Sequence, residues 1–253
     1  MSRRARTTLF LVAALVLGAG LVWAFAGLPR SGNYHGVYGL TMQHVALPQR
    51  RATDLVSSVT FDYRGFDTLG EEFILFVSAT GCAVLLRAQR DEHSVAQASE
   101  RAEARAEEVS SPLRALGAGL VGPVLVLGGY VVAHGHLTPG GGFQGGVILA
   151  AAMVLVFIAG QLLALRRTRP IPVVELGEAI GGSAYALIAI GGLIFGVAAL
   201  SNFLPLGTPG NLLSAGMIPL LNIAVGLEVA GAFTLVVSEF LDQALLRRAG
   251  GAR

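Results

Sequence analysis

The sequence predicts an all-α, polytopic integral membrane protein with about six transmembrane helices. Only 13% of its 253 residues are charged, whereas soluble domains carry about 25%. The mean hydropathy is +0.66. Long apolar runs recur along the whole chain, and one bilayer crossing needs about 20 such residues. Together these features argue against an ordinary soluble domain.

Six apolar runs are long enough to cross a bilayer. The predicted spans are roughly Thr8–Leu28, Leu69–Arg87, Leu113–Ala133, Phe143–Leu165, Leu176–Ala199 and Ala215–Leu241. The second run is the weakest, because Glu71 and Glu72 stand at its start. The first run has two interpretations, because the arginines before it and the small residues Ala24 and Ala26 near its end also fit a cleaved signal peptide. A retained helix is favoured, since the run is long for a signal core.

The distribution of arginine predicts the orientation in the membrane. If the N-terminus is cytoplasmic, the inner segments hold 14 of the 18 arginines. This asymmetry follows the positive-inside rule. We therefore expect both termini in the cytoplasm and the chain in a bacterial inner (plasma) membrane.

Two polar segments separate the spans. Arg87–Pro112 is rich in Ala, Glu and Arg and is predicted to be a solvated cytoplasmic linker helix. Pro29–Thr68 is expected to lie outside. Within it, Thr53–Phe61 carries apolar residues close to helical spacing. Whether this short segment lies along the membrane surface or dips into the membrane stays open.

Composition argues against several other classes of protein. Cys82 is the single cysteine, so the chain has neither a disulfide framework nor a ligand set for an iron–sulfur cluster. The arginines are scattered between apolar runs, which argues against nucleic-acid binding. All 18 basic residues are arginine, so no buried lysine with a movable pKa serves proton pumping. We expect no bound cofactor.

The least helical stretch between spans is His134–Gly146, with the sequence HGHLTPGGGFQGG. It lacks the Lys-Ser/Thr pair of a phosphate-binding loop. His134 and His136 lack a third or fourth ligand nearby, so no metal site is predicted. A structural turn between two spans fits better.

That turn rests on one proline, one aromatic residue and several glycines. The proline cannot continue a helix, and three consecutive glycines permit a reversal with positive φ. Two glycines four residues apart let another helix approach closely, and the phenylalanine is placed to anchor the next span at the interface. The residues with this structural role are Pro139, Gly140, Gly141, Gly142, Phe143 and Gly146. The same glycine spacing recurs at Gly177/Gly181 and Gly192/Gly196.

Residues Gly135–Gly146 also carry a family resemblance. They resemble the signature of the MnhB subunit of the Mrp-type, or Mnh-type, multisubunit sodium/proton antiporters. The likeness extends over about residues 113–245 and includes Glu175–Ala179 and Asn222–Val229.

A second resemblance covers about residues 33–88. Asp62–Glu71, DYRGFDTLGE, is similar to the C-terminal end of the large MnhA subunit of the same antiporters, an MbhE-like segment. It is also similar to a small membrane subunit of related hydrogenase complexes. The chain thus resembles a fusion of that end, in residues 1–88, with an MnhB-like domain in residues 113–245, joined by a linker helix in residues 89–112.

The resemblance implies an accessory membrane subunit of a multisubunit Na+/H+ antiporter, and not an enzyme. It implies Na+ and H+ as transported ions, and the other subunits and membrane lipid as partners. Two alternatives stay open. One is a subunit of a hydrogenase or complex I-like ion-pumping complex, and the other is a purely structural scaffold.

Carboxylates inside a bilayer are costly, so each is a candidate functional group. Glu228 lies near the middle of the last span, and Tyr185 is expected on the same helix face as Glu178, within reach of a hydrogen bond. Glu71 is favoured over Glu72, because the resemblance to the MnhA subunit ends at Glu71. The predicted ion pathway comprises Glu71, Asp67, Asp62, Glu178, Glu228 and His136. Ion-paired or dipole-stabilised helix ends and, for histidine, interfacial hydrogen bonding remain the alternatives.

Overall fold

Eight α-helices and one π-helical turn account for most of the described chain. The computed structural model describes residues 3–28, 36–86, 110–168, 171–196 and 198–250. The helices are α1 (Arg3–Ala26), α2 (Val37–Arg50), α3 (Leu55–Ser58), α4 (Gly65–Leu86), α5 (Ser111–Ala133), α6 (Gly142–Thr168), α7 (Ile171–Phe195) and α8 (Ile218–Gly250), with the π-helical turn at Val59–Tyr63. The predicted linker helix lies almost wholly outside the described residues.

Six of these helices are long and apolar enough to cross a membrane. The spans are Thr7–Ala26, Gly65–Leu86, Ser111–Ala133, Gly142–Ala159, Val174–Phe195 and Ile218–Leu241. They follow the six predicted runs in order, so the all-α class and the six helices of membrane-spanning length are confirmed, while retention of the first helix stays a prediction. The last span begins at Ile218 and not at Ala215, because Ala215 and Gly216 have φ values of 68° and 64°, which no α-helix accommodates.

The described chain forms two compact units, Met1–Thr41 and Met42–Arg253. α8 is the centre of the second unit, since 61% of its most apolar stretch is buried, against at most 28% in any other described span. It packs against α4, α5, α6 and α7. The predicted domains, residues 1–88 and 113–245 joined by a linker at residues 89–112, were defined by family resemblance and not by compact structural units. That division stays a prediction.

Glycines set the distance between α6 and α8, as the sequence predicted. A Cβ atom added at Gly146 would lie 2.7 Å from the Cβ atom of Val229, and one added at Gly142 would lie 2.7 Å from the Cβ atom of Val225. Gly140 and Gly141 have φ values of 153° and 128°, so the predicted reversal with positive φ is confirmed at these two positions.

The two other glycine pairs behave differently from the prediction. Nothing lies within 4 Å of a Cβ atom added at Gly177, whereas Gly181 lies against the backbone of α8. Gly192 meets the backbone of Leu200 and Ser201, which belong to the loop after α7 and not to another helix. The spacing alone did not reveal which face of α7 is turned toward a neighbour.

The segment whose position was left open is docked on the glycine-rich turn. The backbone N–H groups of Thr53 and Asp54 both donate to the carbonyl oxygen of His136, at 3.1 Å. The Thr53 hydroxyl donates to Leu137 O at 2.6 Å, and the Ser57 hydroxyl donates to Gly135 O. These bonds directly join the predicted domain in residues 1–88 to the predicted domain in residues 113–245.

Candidate functional site

Three helices bring three glutamates together in the second unit. Glu72 from α4, Glu178 from α7 and Glu228 from α8 line one cavity of about 240 Å³. Their exposed fractions are 4%, 4% and 1%. The remaining lining is almost entirely apolar and consists of Leu69, Phe73, Phe76, Ala179, Gly182, Ser183 and Ala186.

Helical periodicity explains how α4 presents its glutamate. Leu69, Glu72, Phe73 and Phe76 all line the cavity, and they follow the i, i+3, i+4, i+7 pattern of one helix face. Glu71 is one step of about 100° away and is exposed. The neighbouring carboxylates on α4 therefore face different surroundings.

Glycines make room for the buried carboxyl groups. A Cβ atom at Gly181 would lie 2.5 Å from the backbone nitrogen of Glu228, and one at Gly182 would lie 2.9 Å from Glu228 Oε2. On the opposite helix, a Cβ atom at Gly231 would lie 2.8 Å from the Cβ atom of Glu178. α7 therefore has glycine where it meets Glu228 of α8, and α8 has glycine where it meets Glu178 of α7.

The three carboxyl groups have unsatisfied oxygens. Glu72 Oε2, Glu178 Oε1 and both carboxyl oxygens of Glu228 are buried without a hydrogen-bond partner among the described residues. The carboxyl groups of Glu72 and Glu228 are close enough to hydrogen-bond each other once one of them is protonated, and Glu178 also experiences the charge of Glu228. Without such a proton, no described donor reaches either oxygen of Glu228. Because an unpaired buried charge is costly, the site requires protons, water or a cation.

A second cavity of about 420 Å³ adjoins the same glutamate of α4. Glu72 lines it together with Glu71, Thr60, Thr68 and Gln144, and the backbone of Gly140–Gly142 completes one wall. Its polar lining groups are hydroxyl, amide and carboxyl groups, whereas those of the three-glutamate cavity are the three carboxyl groups and the Ser183 side chain. Glu72 lines both cavities.

The predicted pathway residues fall into separate groups. Glu178 and Glu228 share the three-glutamate cavity, while Glu71 lines the second cavity. Asp62 is paired with Arg50, whose Nε lies 2.7 Å from Asp62 Oδ1. Exposed Asp67 is paired with Arg64.

Asp62 also receives a hydrogen bond from Asn202 Nδ2 at 3.2 Å. Burial raises the pKa of Asp62, and the charge of Arg50 opposes that shift. The same Asn202 side chain donates to Ala215 O at 3.0 Å and accepts from the backbone N–H of Met217 at 3.0 Å. Asp62 therefore joins a network that holds the start of α8.

His136 is fully buried in the turn between α5 and α6. Its ring lies beside the backbone of Asn211 and Leu212, but neither ring nitrogen completes a hydrogen bond with a described residue. Burial lowers the pKa of His136 below its ordinary value of 6.5. The turn is therefore built around a neutral imidazole.

Acid is expected to destabilise this turn through His136. Since the pKa is lowered in the folded state, the unfolded chain binds the proton first, so stability is full above 6.5 and falls as the pH drops below that value. The melting temperature of the purified protein should decline less on acidification in His136→Gln than in the wild type. Equal declines in both proteins would contradict the assignment.

Tyr185 does not hydrogen-bond Glu178 as a donor, contrary to the sequence-based expectation. Its hydroxyl donates to the carbonyl oxygen of Gly65 at 2.9 Å, and the ring is fully buried. Tyr185 thus ties the start of α4 to α7. Residues seven apart are separated by about 10 Å along a helix axis, and the single hydroxyl proton of Tyr185 goes to a nearer acceptor on α4.

Two residues of the site were missed or ranked too low by the sequence analysis. Glu72 was ranked below Glu71 as a pathway residue. The apolar residues Leu69, Phe73 and Phe76, however, lie at helical spacing on the same face of α4 as Glu72. Asn222 was noted only as part of a motif. Its Oδ1 accepts from the backbone N–H of Gly142 at 2.8 Å, so α8 caps the first turn of α6.

Adding a methyl group beside the Glu228 carboxyl is expected to impair the site. The Cβ atom of Gly182→Ala would lie 2.9 Å from Glu228 Oε2 and 3.2 Å from Cδ, so the carboxyl group must move. Transport by the assembled complex should fall by about 10- to 100-fold, because a misplacement of about 1 Å can cost about 10². Gly177→Ala, with nothing within 4 Å, is the matched control. Equal activity of the two variants would argue against a role for the Glu228 position.

Comparison with protein families identifies the C-terminal half. Residues 112–235 match the MnhB family, described as a domain related to the MnhB subunit of the Na+/H+ antiporter. The chain is 30% identical over 243 residues to an uncharacterized protein of Methanocaldococcus jannaschii, across 86% of this chain and 85% of that protein. It is 28% identical over 123 residues to the A/B subunit of a probable K+/H+ antiporter of Rhizobium meliloti, across 43% of this chain but only 12% of that protein.

Two solved structures share the fold. One is the membrane-bound sulfane sulfur reductase, an archaeal respiratory membrane complex, with a TM-score of 0.69 and 27% identity over 94% of this chain and 98% of the matched chain. The other is the Mrp complex from a Dietzia species, with a TM-score of 0.70 and 21% identity over 94% of this chain and 26% of the matched chain. Both structures are of multisubunit membrane complexes.

Proposed function

Since this chain belongs to the MnhB family of antiporter-related membrane proteins, we propose that it is an accessory membrane subunit of a multisubunit Na+/H+ antiporter. The observation that carries the proposal is the cavity in which Glu72, Glu178 and Glu228 meet with unsatisfied oxygens. Carboxylates in a membrane interior mark ion and proton pathways. A scaffold alone does not require this costly arrangement.

The three glutamates lie at staggered depths. At 1.5 Å per residue, Glu72 lies about 10 Å from the start of α4 and Glu228 about 15 Å from the start of α8. Glu178 lies about 10 Å from the start of α7, which begins on the opposite membrane side in the predicted orientation. Measured from the outer side, the three carboxyl groups therefore lie at depths of about 10, 15 and 20 Å, in the middle third of a hydrocarbon core about 30 Å thick.

The other predicted pathway residues take their places at the outer end in this proposal. Glu71 stands at the second cavity, which serves as the outer mouth. Asp62 and Asp67 hold the surrounding backbone through their arginine partners. His136 supports the adjoining turn.

The proposal includes the setting of the subunit. The chain is placed in the plasma membrane with both termini in the cytoplasm, as the arginine distribution favours. Its exposed apolar helix faces contact lipid and the other subunits of the complex. Na+ and H+ are the transported ions, with no cofactor, no enzymatic reaction and no nucleic acid involved.

A second candidate is a membrane subunit of a redox-coupled respiratory complex. The observation that favours it is the match to the sulfane sulfur reductase structure, where the likeness spans 98% of the matched chain. In that setting the same glutamates move ions while electrons pass through other subunits.

The test is to purify the complex through a tag on this chain and reconstitute it in liposomes. The antiporter predicts that an imposed sodium gradient drives proton flux without any electron donor. Flux that appears only after an electron donor is added supports the respiratory complex. A chain that copurifies with no other subunit and moves no ions would overturn both.

A further inference from the structure

The two cavities that share Glu72 differ in what they offer an ion. The second cavity presents oxygens from Thr60, Thr68, Glu71 and Gln144 together with the backbone of Gly140–Gly142. The three-glutamate cavity presents, besides its three carboxyl groups, only the Ser183 side chain as a polar lining group. The rest of its wall is aliphatic or aromatic.

A dehydrated sodium ion requires several oxygen ligands around one point, as hard cations do. Among the described residues, no three His, Cys, Asp or Glu side chains are grouped so that they could hold a metal ion. Within the cavity Glu228 interacts with Glu72 and with Glu178, so the three carboxyl groups form a row of neighbours. Such spacing suits groups that pass a proton directly or through water, and the cavity has room for several water molecules.

The unsatisfied oxygens support the same conclusion. Both carboxyl oxygens of Glu228 are buried without a partner, as is Glu72 Oε2. Neighbouring carboxyl groups in a poorly solvated site do not both remain ionised. One proton shared between Glu72 and Glu228 lowers that cost, and the pair then carries a single negative charge.

We propose that the ion passing through the three-glutamate cavity is a proton, and that Glu72 transfers it from the second cavity to Glu228. This rests on the proposed function. In the step, the O–H bond of neutral Glu72 breaks and an O–H bond forms on the Glu228 carboxylate, leaving Glu72 ionised. The total charge of the pair is unchanged. Glu228 passes its proton on to ionised Glu178 and from there toward the inner side, which restores the Glu228 carboxylate. Glu72 then takes its next proton from the second cavity, and sodium does not enter the three-glutamate cavity.

The test separates proton movement from sodium movement in the reconstituted complex. Net sodium/proton antiport is compared with exchange of radioactive for unlabelled sodium at equal pH on both sides, which moves no net protons. In Glu72→Gln and Glu228→Gln, antiport should fall by about 10², a typical contribution of a positioned proton-transfer group, while sodium exchange continues at the wild-type rate. Loss of exchange together with antiport in an assembled variant would overturn the proposal.

Two further outcomes keep the inference distinct from the proposed function. Unchanged antiport in both variants would mean that the cluster lies off the pathway, and the proposed role of the glutamates would fail with it. If the variants do not assemble, infrared spectroscopy of the wild-type complex decides. The band of protonated carboxyl groups should persist when sodium is added at constant pH. Its loss on sodium addition would show that sodium displaces the proton, against the proposal.

Discussion

Glu228→Gln is expected to reduce sodium/proton antiport strongly while the complex still assembles. Glu228 is 1% exposed, and the neighbouring carboxyl group of Glu72 is within hydrogen-bonding reach when one of the two carries a proton. Glutamine has nearly the same shape, but it cannot exchange a proton. Transport should therefore fall by at least about 10².

The matched control for this experiment is Glu175→Gln. Glu175 lies one helical turn before Glu178 on α7 and is exposed, so the same chemical change there leaves the cavity intact. Sodium-driven proton flux in inverted vesicles gives the rate, and a native gel shows assembly. An assembled Glu228→Gln complex with wild-type flux would favour a purely structural role for the chain.

Gly146→Ala is expected to weaken the packing of α6 on α8 and to reduce the amount of assembled complex. The added Cβ atom would lie 2.7 Å from the Cβ atom of Val229 and 2.9 Å from Gly226 O. Backbone on the opposite helix cannot rotate away, so the helices must separate. Overpacking of this kind costs about 1–3 kcal/mol, which should appear as a lower melting temperature and a fainter complex band on a native gel.

Gly129→Ala provides the comparison for the packing prediction. Gly129 lies in the interior of α5, and nothing lies within 4 Å of an added Cβ atom. Alanine there should be neutral or stabilising, because glycine in a helix interior costs about 1 kcal/mol relative to alanine. If the two variants melt and assemble alike, close approach at Gly146 does not hold the helices together.

The number of helices and the turn between α5 and α6 were predictable because their signals are local. Apolar runs of sufficient length mark the spans, and Pro139 with three following glycines marks the reversal. The close approach at Gly142 and Gly146 followed from their spacing. Each of these inferences needs only neighbouring residues.

The composition of the three-glutamate cavity was predictable only in part. Glu178 and Glu228 were identified because carboxylates are rare in spans. The choice between Glu71 and Glu72 depends on the rotation of α4 about its axis, which the family resemblance did not specify. The pattern of apolar residues around Glu72 on α4 contained that information, but only contact with α7 and α8 shows that Glu72 itself is buried against protein and not lipid.

Long-range hydrogen bonds were beyond the reach of the sequence analysis. Asn222 caps Gly142 from 80 positions away, and the Thr53 hydroxyl reaches Leu137 O across 84 positions. Each bond joins a side chain to a backbone group. Almost any residue in place of Gly142 or Leu137 would supply the same backbone group. No sequence pattern therefore marks the partner.

The central claim is that Glu72 and Glu228 act in one transfer step. The most direct measurement is the sodium-driven proton flux of Glu72→Gln, Glu228→Gln and the double variant, each normalised to assembled complex. Residues that act as a unit give strongly non-additive losses. The account predicts that the double variant is no slower than the slower single variant. Losses that multiply in the double variant would contradict it, because the two carboxyl groups would then act independently.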